Sequence, residues 1–277
     1  MINRRNTPGP FQEAYGSDSA RQTLNAAGLA SFQALWTLDA PWVEEPNRER
    51  RGWSGVCRVA LSTSNRQTFT AYLKRQENHG YRSLQNPFRI RPTAYREYQR
   101  LVAMKTVALH VPDVIYYGER EINEAHQAIL LTKGVPQNIS LDDYLAAAGN
   151  RPSSEVRQVI QDTAALIGRL HRHHFQHCAL YGKHVLISGF PNTKTSTSHP
   201  EQRLVPYLID VEKARKRPLR SGIAVRDLSQ FYRRVPWGEG QWEAFLDHYA
   251  AASHMAGIKP LLSWMIRRRV RSKRRTA

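Results

Sequence analysis

The chain has 277 residues, of which 41% are hydrophobic and 23% charged, and 41 Lys and Arg against 23 Asp and Glu give a formal net charge of +18. This composition predicts a globular protein with a sizeable core and excludes a membrane-spanning class, because no run reaches ~18 consecutive apolar residues. The polar start, Met1 to Pro10, lacks the apolar core of a secretory signal. Two cysteines, Cys57 and Cys178, predict free thiols in a reducing compartment, so we expect a cytoplasmic protein.

The excess of positive charge favours a polyanionic partner, such as nucleic acid, a phosphorylated glycolipid or an anionic membrane face. Residues 267–275 hold seven basic residues and no acidic one, and the preceding residues 261–266 are apolar apart from Ser263. This pattern fits a helix lying at a lipid interface, and it equally fits a solvated, partly disordered basic tail. No recognisable nucleic-acid module occurs, so nucleic acid is the weaker expectation.

The first half of the chain has strand patterns around one helix. Residues 1–30 are polar and aperiodic, which predicts a loose arm. Strands with period-two alternation are predicted within 41–61 around a turn at 50–54, and then at 69–74, 113–117 and 128–132. Apolar residues on one face predict a helix from Thr93 to Met104, and Asn86-Pro87 is expected to break the chain before it.

The second half has mainly helical patterns. Helices are predicted at 141–148, from Ser153 through about 174, near 225–234 and at 241–252, with short strands at 185–187 and 205–210 and a loop at 188–203. We therefore predict an α+β fold in which an antiparallel sheet with one helix precedes a mainly helical region. The expected divisions are an arm (1–30), a sheet lobe (31–135), a helical lobe (136–257) and a basic amphipathic tail (258–277).

Three features of the first half could bind phosphate. Gly52-Trp53-Ser54-Gly55 lies between two strands, and its glycines let backbone N–H groups approach a phosphate closely, although an ordinary hairpin turn has the same pattern. Lys74, near a strand end, could hold phosphate oxygens as a point charge, or it could simply face solvent. Glu97 on the following helix could pin that lysine, or it could be an exposed helix residue.

Two features of the second half add to this set. His177 opens a polar loop between the long helix and a short strand, where a rigid scaffold presents functional groups. Asp210 ends an apolar strand and could hold Mg²⁺ through its oxygens, or could act as a helix cap. A zinc site from His174, His177 and Cys178 is disfavoured, because the full tetrahedral spacing is missing.

These five features occur in the chain order of a kinase catalytic apparatus. They are the glycine hairpin, the lysine on a strand, the glutamate on a helix, the loop that begins with histidine and the aspartate at a strand end. Segments 41–47 and 52–56 also resemble the opening of InaA-type proteins. Segments 139–144, 177–187, 209–210 and 226–228 are similar to the lipopolysaccharide kinases of the Kdo/WaaP family, InaA branch. The resemblance covers roughly residues 40–250. It implies a two-lobed protein-kinase-like fold, ATP, Mg²⁺ and a sugar of the lipopolysaccharide inner core as acceptor.

Roles for residues of the first half also follow from the resemblance. Gly52, Ser54 and Gly55 would cover the phosphates of ATP. Lys74 would contact its α- and β-phosphates, and Glu97 would orient the lysine.

The resemblance implies further roles along the rest of the chain. The segment from Thr132 to Val135 would form the hinge beside adenine. Asp210 would bind Mg²⁺, with His184 at the second metal-binding position. Asp227 would brace the catalytic loop from a helix below it.

One position departs from the kinase pattern. The His-Arg-Asp motif of active kinases reads His177-Cys178-Ala179, so the carboxylate that accepts the hydroxyl proton is missing. General-base assistance is worth about 10²–10⁴-fold, whereas phosphoryl transfer depends mostly on positioning and charge neutralisation. Turnover therefore remains the expectation, with Asp210, Glu212 or a neutral His177 as the candidate proton acceptor.

The functional prediction is an ATP-dependent phosphotransferase acting on a heptose or Kdo of the lipopolysaccharide inner core. Its candidate catalytic residues are Lys74, Asp210 and His177. We expect a cytoplasmic protein, in peripheral contact with the anionic inner-membrane surface. The alternative is a pseudokinase or stress-related scaffold of the InaA type that binds ATP with little or no phosphotransfer.

Overall fold

The computed structural model describes residues 11–48, 52–83, 86–148, 154–190, 203–238 and 240–274. The chain divides into two compact units. Unit 1 comprises Met1–Val102 and Pro112–Gly134, and unit 2 comprises Ala103–Val111 and Val135–Ala277. The first two residues of the predicted turn at 50–54, the predicted helix start at Ser153 and most of the predicted loop at 188–203 lie outside the described residues. The last two residues of that turn, Trp53 and Ser54, belong to a strand.

Unit 1 is built on an antiparallel sheet. Its elements are β1 (Gln12–Tyr15), α1 (Asp18–Ala26), α2 (Phe32–Thr37), β2 (Trp42–Asn47), β3 (Trp53–Ser62), β4 (Thr68–Glu77), β5 (Gly80–Ser83), β6 (Asn86–Pro92), α3 (Thr93–Lys105, its last turn in unit 2), β7 (Val114–Ile122) and β8 (Ala125–Lys133). Six strands pair antiparallel in the order β1-β7-β8-β4-β3-β2, and β5 pairs with β6 as a separate hairpin. The predicted chain break at Asn86-Pro87 is wrong, because these residues begin β6.

The core of unit 1 covers one face of the sheet. Alternate residues of β3, namely Cys57, Val59 and Leu61, are buried, as the period-two pattern predicted. Helices α1 and α2 cover them with Leu24 and Leu35, both fully buried. Burial of such side chains contributes about 1.5–3 kcal/mol each, so this face accounts for much of the stability of unit 1.

The structure differs from the predicted loose arm over residues 11–30. The strand β1 pairs with β7, and Ser17 caps α1 by accepting a hydrogen bond from Ala20 N at 3.1 Å. The Tyr15 hydroxyl donates to Ala30 O at 2.7 Å. These are strand pairing, helix capping and a bond from a side-chain hydroxyl, and a hydrophobic pattern reports none of them. The first ten residues of the predicted arm lie outside the described residues.

Unit 2 is mainly helical. Its further elements are β9 (Asn138–Ser140), α4 (Leu141–Ala148), α5 (Ser154–Arg172), β10 (Phe175–Gln176), β11 (Val185–Ser188), β12 (Val205–Leu208), β13 (Arg215–Lys216), α6 (Arg220–Arg234), α7 (Gln241–Ala252) and α8 (Lys259–Arg274). The strands form two small antiparallel sheets, β12-β11-β9 and β10-β13. Helix α5 packs against α7, and α6 packs against α8. At Gly168 of α5 an added Cβ would lie 2.7 Å from Ala252 Cβ, so the close approach of α5 and α7 requires glycine there.

The predicted basic tail is a folded helix over the described residues. Three side chains of α8 spaced four apart, Leu262, Ile266 and Val270, are at most 4% exposed, because α8 packs against α6 and α7. This apolar face therefore belongs to the core of unit 2, and the disordered-tail interpretation is wrong for residues 259–274. Leu261 and Trp264 remain more than half exposed on the outer face. Among the described residues, no helix is both long enough and apolar enough to cross a bilayer.

Candidate active site

In unit 1, Lys74 and Glu97 form a largely buried ion pair. Lys74 lies on the central strand β4, opposite Val56 of β3 and Leu130 of β8. Its Nζ lies 2.8 Å from Glu97 Oε2 of α3, and the two side chains are only 18% and 16% exposed. Such charge-assisted contacts strengthen as water is excluded. Lys74 is therefore not the solvent-facing strand lysine of the alternative interpretation.

Gln76 fixes the start of the helix that carries Glu97. It lies two residues after Lys74, on the same face of β4, and is 1% exposed. Its Oε1 accepts from Ala94 N at 2.8 Å, and its Nε2 donates to Thr93 Oγ1 at 2.8 Å and to Ser54 Oγ at 3.0 Å. Gln76 thus satisfies a backbone donor in the first turn of α3 and anchors that helix to the strand bearing Lys74.

An aromatic and ionic cluster holds the same helix against β7. The Tyr98 ring of α3 stacks on Tyr117 with 4.6 Å between ring centroids, and Tyr95 contacts the same ring at 5.7 Å. The Arg91 guanidinium lies 3.4 Å from the Tyr95 centroid and 2.7 Å from Glu119 Oε1. The helix is therefore fixed at its N-terminus and along its side, which determines where Glu97 points.

The acidic member of this cluster stays ionised at neutral pH. Burial alone would raise the pKa of Glu119, but hydrogen bonds from His126, Arg91 and Tyr117 outweigh burial and lower the pKa to about 2. A carboxylate accepting several such bonds is stabilised in its charged form. Arg91 therefore keeps a charged partner throughout the physiological pH range.

The glycine segment has a packing role of its own. A Cβ at Gly52 would lie 2.3 Å from Glu77 O, and one at Gly55 would lie 2.6 Å from the Trp42 ring. The Ser54 hydroxyl already accepts a bond from the protein. These contacts explain the two glycines without a ligand, so phosphate contact by Gly52, Ser54 and Gly55 stays a prediction.

The predicted hinge residues lie at the end of unit 1 and the start of unit 2. Thr132 on β8 pairs with Tyr72 of β4 and with Val114 of β7. Val135 is buried, and its carbonyl accepts a bond from Asn138 Nδ2 at 2.6 Å. The Val135 carbonyl thus already accepts a hydrogen bond within the protein, and a contact of this segment with adenine stays a prediction.

In unit 2, Asp227 of α6 braces the loop that begins at His177, as predicted. Its fully buried carboxylate accepts from the backbone N–H of His177 at 2.6 Å and of Cys178 at 3.1 Å. His171 Nε2 lies 3.3 Å from the same carboxylate, and its Nδ1 contacts the Tyr249 hydroxyl at 2.9 Å. Burial would raise the pKa of Asp227, but the hydrogen bond from His171 and the charges and N–H groups around it lower that pKa below its ordinary value.

His177 is enclosed and holds two loops together. Its side chain is 0% exposed, and its Nε2 lies 3.0 Å from Ile209 O, so that nitrogen donates and carries the proton. Burial lowers the pKa of His177, which keeps the imidazole neutral. A substrate hydroxyl does not reach a side chain with no exposed surface. The position of His177 therefore argues against the proton-acceptor hypothesis and supports a positioning role beside Asp210.

The side chains of Asp210 and His184 face each other in unit 2. His184 Nδ1 donates to Ala179 O at 2.8 Å, which leaves Nε2 directed at Asp210 Oδ2, 3.5 Å away. Asp210 has a left-handed backbone (φ 53°, ψ 52°), and its side chain is 44% exposed. Cys178 is also left-handed, at φ 68°. Such strained backbone persists where surrounding contacts impose it, often at functional sites.

The donor set of Asp210 and His184 suits a cation shared with a ligand. Within the described ranges, no three His, Cys, Asp or Glu side chains gather as a metal cluster. Mg²⁺ is commonly bound by one or two carboxylates together with substrate phosphates and water. The carboxylate of Asp210, which is partly open to solvent, fits that arrangement. An imidazole is an uncommon ligand for Mg²⁺, so a metal contact by His184 stays a prediction.

Asp142, in the first turn of α4, is a site residue that the sequence analysis missed. An added Cβ at Gly182 would lie 1.7 Å from Asp142 Oδ1, so only glycine lets the loop approach this carboxylate. Burial raises the pKa of Asp142, while a hydrogen bond from the Lys183 backbone opposes that rise. Asp142 thus supports the turn that carries His184. Gly182 inside the loop was the feature of the sequence that could have indicated this close contact.

Comparison with known proteins gives a matching family and similar chains. Residues 33–249 match the model of the lipopolysaccharide kinase (Kdo/WaaP) family. Protein InaA of Escherichia coli (strain K12) is 29% identical over 229 residues, which cover 82% of this chain and 98% of that protein. The solved structure of WaaP in complex with acyl carrier protein is similar with a TM-score of 0.63 at 16% identity, over 94% of this chain and 98% of that one.

These likenesses bear on fold and family separately. The structural match, at 16% identity, supports the fold alone and confirms the predicted α+β, protein-kinase-like class. The family match spans most of the chain and confirms the family resemblance. The chain belongs to the lipopolysaccharide kinase (Kdo/WaaP) family.

Proposed function

We propose that this protein transfers a phosphoryl group from ATP to a hydroxyl of a heptose or Kdo sugar in the lipopolysaccharide inner core, at the cytoplasmic face of the inner membrane. Membership of the family supports a role related to lipopolysaccharide kinases. The observation that carries the proposal is the buried Lys74–Glu97 ion pair, held in place by Gln76. A lysine fixed in this way presents a positioned charge to phosphate oxygens.

The roles in unit 1 follow from that pair. Lys74 would contact the α- and β-phosphates of ATP, and Glu97 would keep the ammonium directed. Backbone N–H groups from Gly52 to Gly55 would cover the phosphates, and the segment from Thr132 to Val135 would lie beside adenine. Gln76 donates a hydrogen bond to Ser54, so the same residue holds the glycine segment and the helix that orients Lys74.

The roles in unit 2 depend on the braced loop. Asp210 and His184 would hold Mg²⁺, which would supply charge neutralisation on the phosphates. His177 and Asp227 position the segments that carry these two side chains. Asp210 or Glu212 would accept the hydroxyl proton. This assistance adds to positioning and charge, which contribute most to phosphoryl transfer.

The alternative function is a pseudokinase or stress-related scaffold that binds ATP with little or no transfer. Ala179, where active kinases have the aspartate of the loop, favours this alternative. Transfer of labelled phosphate from ATP to purified core oligosaccharide separates the two functions. Transfer supports the kinase, whereas ATP binding without transfer supports the pseudokinase.

Thermal unfolding with increasing Mg-ATP tests the nucleotide site itself. At a hundredfold excess over Kd a ligand stabilises the folded state by about 2.7 kcal/mol, which is roughly 5–10 °C for a chain of this size. We expect this shift in the wild type and its loss in Lys74→Ala and Asp210→Asn. The exposed controls Lys216→Ala and Asp247→Asn should keep it. Full shifts in both site variants would refute the assigned phosphate and metal contacts.

We further propose that the outer face of α8 contacts an anionic membrane surface. Leu261 and Trp264 are 53% and 55% exposed, and the Arg268 guanidinium lies 5.2 Å from the Trp264 ring. Exposed apolar side chains beside arginine suit the headgroup region, where each basic residue contributes about 1 kcal/mol.

A double substitution tests this membrane contact. Leu261→Ala with Trp264→Ala should reduce cosedimentation with anionic vesicles several-fold, and Ile122→Ala, at another exposed apolar position, should not. Truncation of α8 is unsuitable, because it would remove the buried Leu262 and Ile266. Equal sedimentation of the double variant and the wild type would reject the contact.

A further inference from the structure

An arginine-lined cavity lies in unit 2, apart from the residues assigned to ATP and Mg²⁺. Its volume is about 180 Å³, and four arginines contribute to its described lining together with Gln176 and Cys178; the four are Arg215, Arg226, Arg233 and Arg269. This volume equals about six water molecules at ~30 Å³ each. It is below the roughly 300–1,000 Å³ of sites that enclose a drug-sized ligand. The cavity therefore suits a small group, not a whole nucleotide.

The fold gathers these arginines from separate elements. Arg226 and Arg233 are two turns apart on α6 and so share one face of that helix. Arg269 comes from α8, which packs against α6. Arg215 of β13 pairs directly with Gln176 of β10. The convergence therefore depends on tertiary structure and is not a local run of charge.

No carboxylate neutralises these charges in the described part of the chain. There, none of the four guanidinium groups takes part in an ion pair. The carboxylate beside the cavity, Asp227, already accepts bonds from the N–H groups of His177 and Cys178. Four neighbouring positive charges repel one another, and a bound anion would relieve that repulsion.

Gln176 indicates which anion fits. Gln176 is only 4% exposed, and its Nε2 lies 3.5 Å from Asp227 Oδ1. The carboxylate requires the NH₂ group on its side, so Oε1 points away from it. That oxygen is buried and has no hydrogen-bond partner among the described residues. A buried acceptor calls for a donor, so the ligand should carry an O–H as well as negative oxygens.

We propose that this cavity binds a phosphate group that carries one proton, as inorganic phosphate or as the monoprotonated form of a phosphomonoester. The arginines would bind the charged oxygens, since guanidinium groups match phosphate geometry. Because Gln176 lines the cavity, a small rotation of its side chain would let Oε1 accept a hydrogen bond from the O–H of a monoprotonated phosphate. Cys178 lines the cavity and directly follows His177, so the ligand would lie against the loop that Asp227 braces.

Calorimetric titration with sodium phosphate, at constant ionic strength, tests the assignment. We expect saturable binding to the wild type and at least a tenfold rise in Kd for Arg226→Gln and for Arg233→Gln. Arg234→Gln removes the same charge from the same helix outside the cavity and should bind as the wild type does. Arg226 is exposed, so Arg226→Gln decides the result if Arg233→Gln, which loses a bond to Ser229 O, unfolds.

Sulfate supplies a second, stricter comparison. It matches phosphate in shape and charge but has no proton at neutral pH, so it leaves Gln176 Oε1 without a donor. Sulfate should therefore bind at least fivefold more weakly than phosphate. Equal affinity for sulfate, no saturable phosphate binding, or unchanged binding by Arg226→Gln would each overturn the proposal.

The source of the phosphate group is resolved by two further probes. Competition by a soluble hexose phosphate at pH 6, where about half of it carries an O–H, would identify a free phosphorylated ligand. Retention on phosphatidylcholine vesicles containing phosphatidic acid is measured with Leu261→Ala and Trp264→Ala already in place, so that the outer face of α8 does not contribute. Retention that is then lost on adding Arg226→Gln would identify a lipid headgroup. Either result upholds a phosphate site, and failure of both probes together with inorganic phosphate overturns it. The Mg-ATP shift should persist in Arg226→Gln, so failure here is distinguishable from failure of the nucleotide site.

Discussion

Asp227→Asn is expected to lower the free energy of unfolding by about 3–5 kcal/mol, the cost of breaking a buried charged network from one side. The carboxylate of Asp227 accepts from the N–H groups of His177 and Cys178 and contacts His171 while fully buried. An asparagine offers one acceptor oxygen, and its NH₂ group would face a donor. Urea denaturation followed by circular dichroism measures the loss, provided that the slope m is unchanged.

Asp247→Asn is the matched control for this substitution. Asp247 is 59% exposed and pairs with Lys259 at the surface, so its loss should cost less than about 1 kcal/mol. A cost for Asp227→Asn as small as that of the control would contradict the bracing role.

The pH dependence of the free energy of unfolding tests the role of the Asp227 charge independently. Its pKa in the folded state lies below the ordinary value of 3.8, so its charge stabilises the fold above that pH. This contribution is lost as the pH falls through the folded-state pKa. The difference in stability between wild type and Asp227→Asn should therefore shrink in acid. A difference independent of pH would point to packing and not to charge.

Much of the sheet and of the helical half could be predicted from the sequence, because their periodicity is strong. Alternate burial along β3 and the apolar faces of α5 and α7 follow directly from residue spacing. The helix Thr93–Lys105 extends only one residue beyond the predicted end at Met104. Family resemblance added the individual roles of the candidate site residues.

The supporting polar residues could not be predicted in the same way. Gln76 is a single buried amide in a strand, and no periodic pattern marks the three bonds that it makes to Ser54, Thr93 and Ala94. Asp142 contacts Gly182, which is forty positions away in the chain. Contacts of this kind arise only when elements distant in sequence pack together.

The basic C-terminal segment is a second case in which the sequence pattern did not show what packing would bury. Its basic residues obscured the four-residue spacing of Leu262, Ile266 and Val270, which the structure buries. Similarly, Arg215, Arg226 and Arg269 are scattered along the sequence and meet only through the packing of α6, α8 and β13. Net charge predicted an anionic partner but could not indicate where the charges converge.

Ala179→Asp is expected to raise the rate of phosphoryl transfer to core oligosaccharide, by the full ~10²–10⁴-fold of general-base assistance only where Asp210 and Glu212 supply none of it. It restores the carboxylate at the position where active kinases carry one, within a loop already held by Asp227 and by the bond from His184 to the Ala179 carbonyl. Labelled ATP with saturating acceptor measures the rate.

Ala179→Asn separates the base from its steric effect, since the two side chains have nearly the same shape. Ala179 is 5% exposed, so either substitution adds volume to a buried position and should cost similar stability. A rate gain confined to Ala179→Asp means that the fold already positions nucleotide, cation and acceptor, and lacks only the base. Equal rates in both variants, at the level of the wild type, mean that Asp210 or Glu212 accepts the proton. Absence of transfer in both, with the Mg-ATP shift preserved, makes the protein a nucleotide-binding pseudokinase whose missing elements extend beyond this one carboxylate.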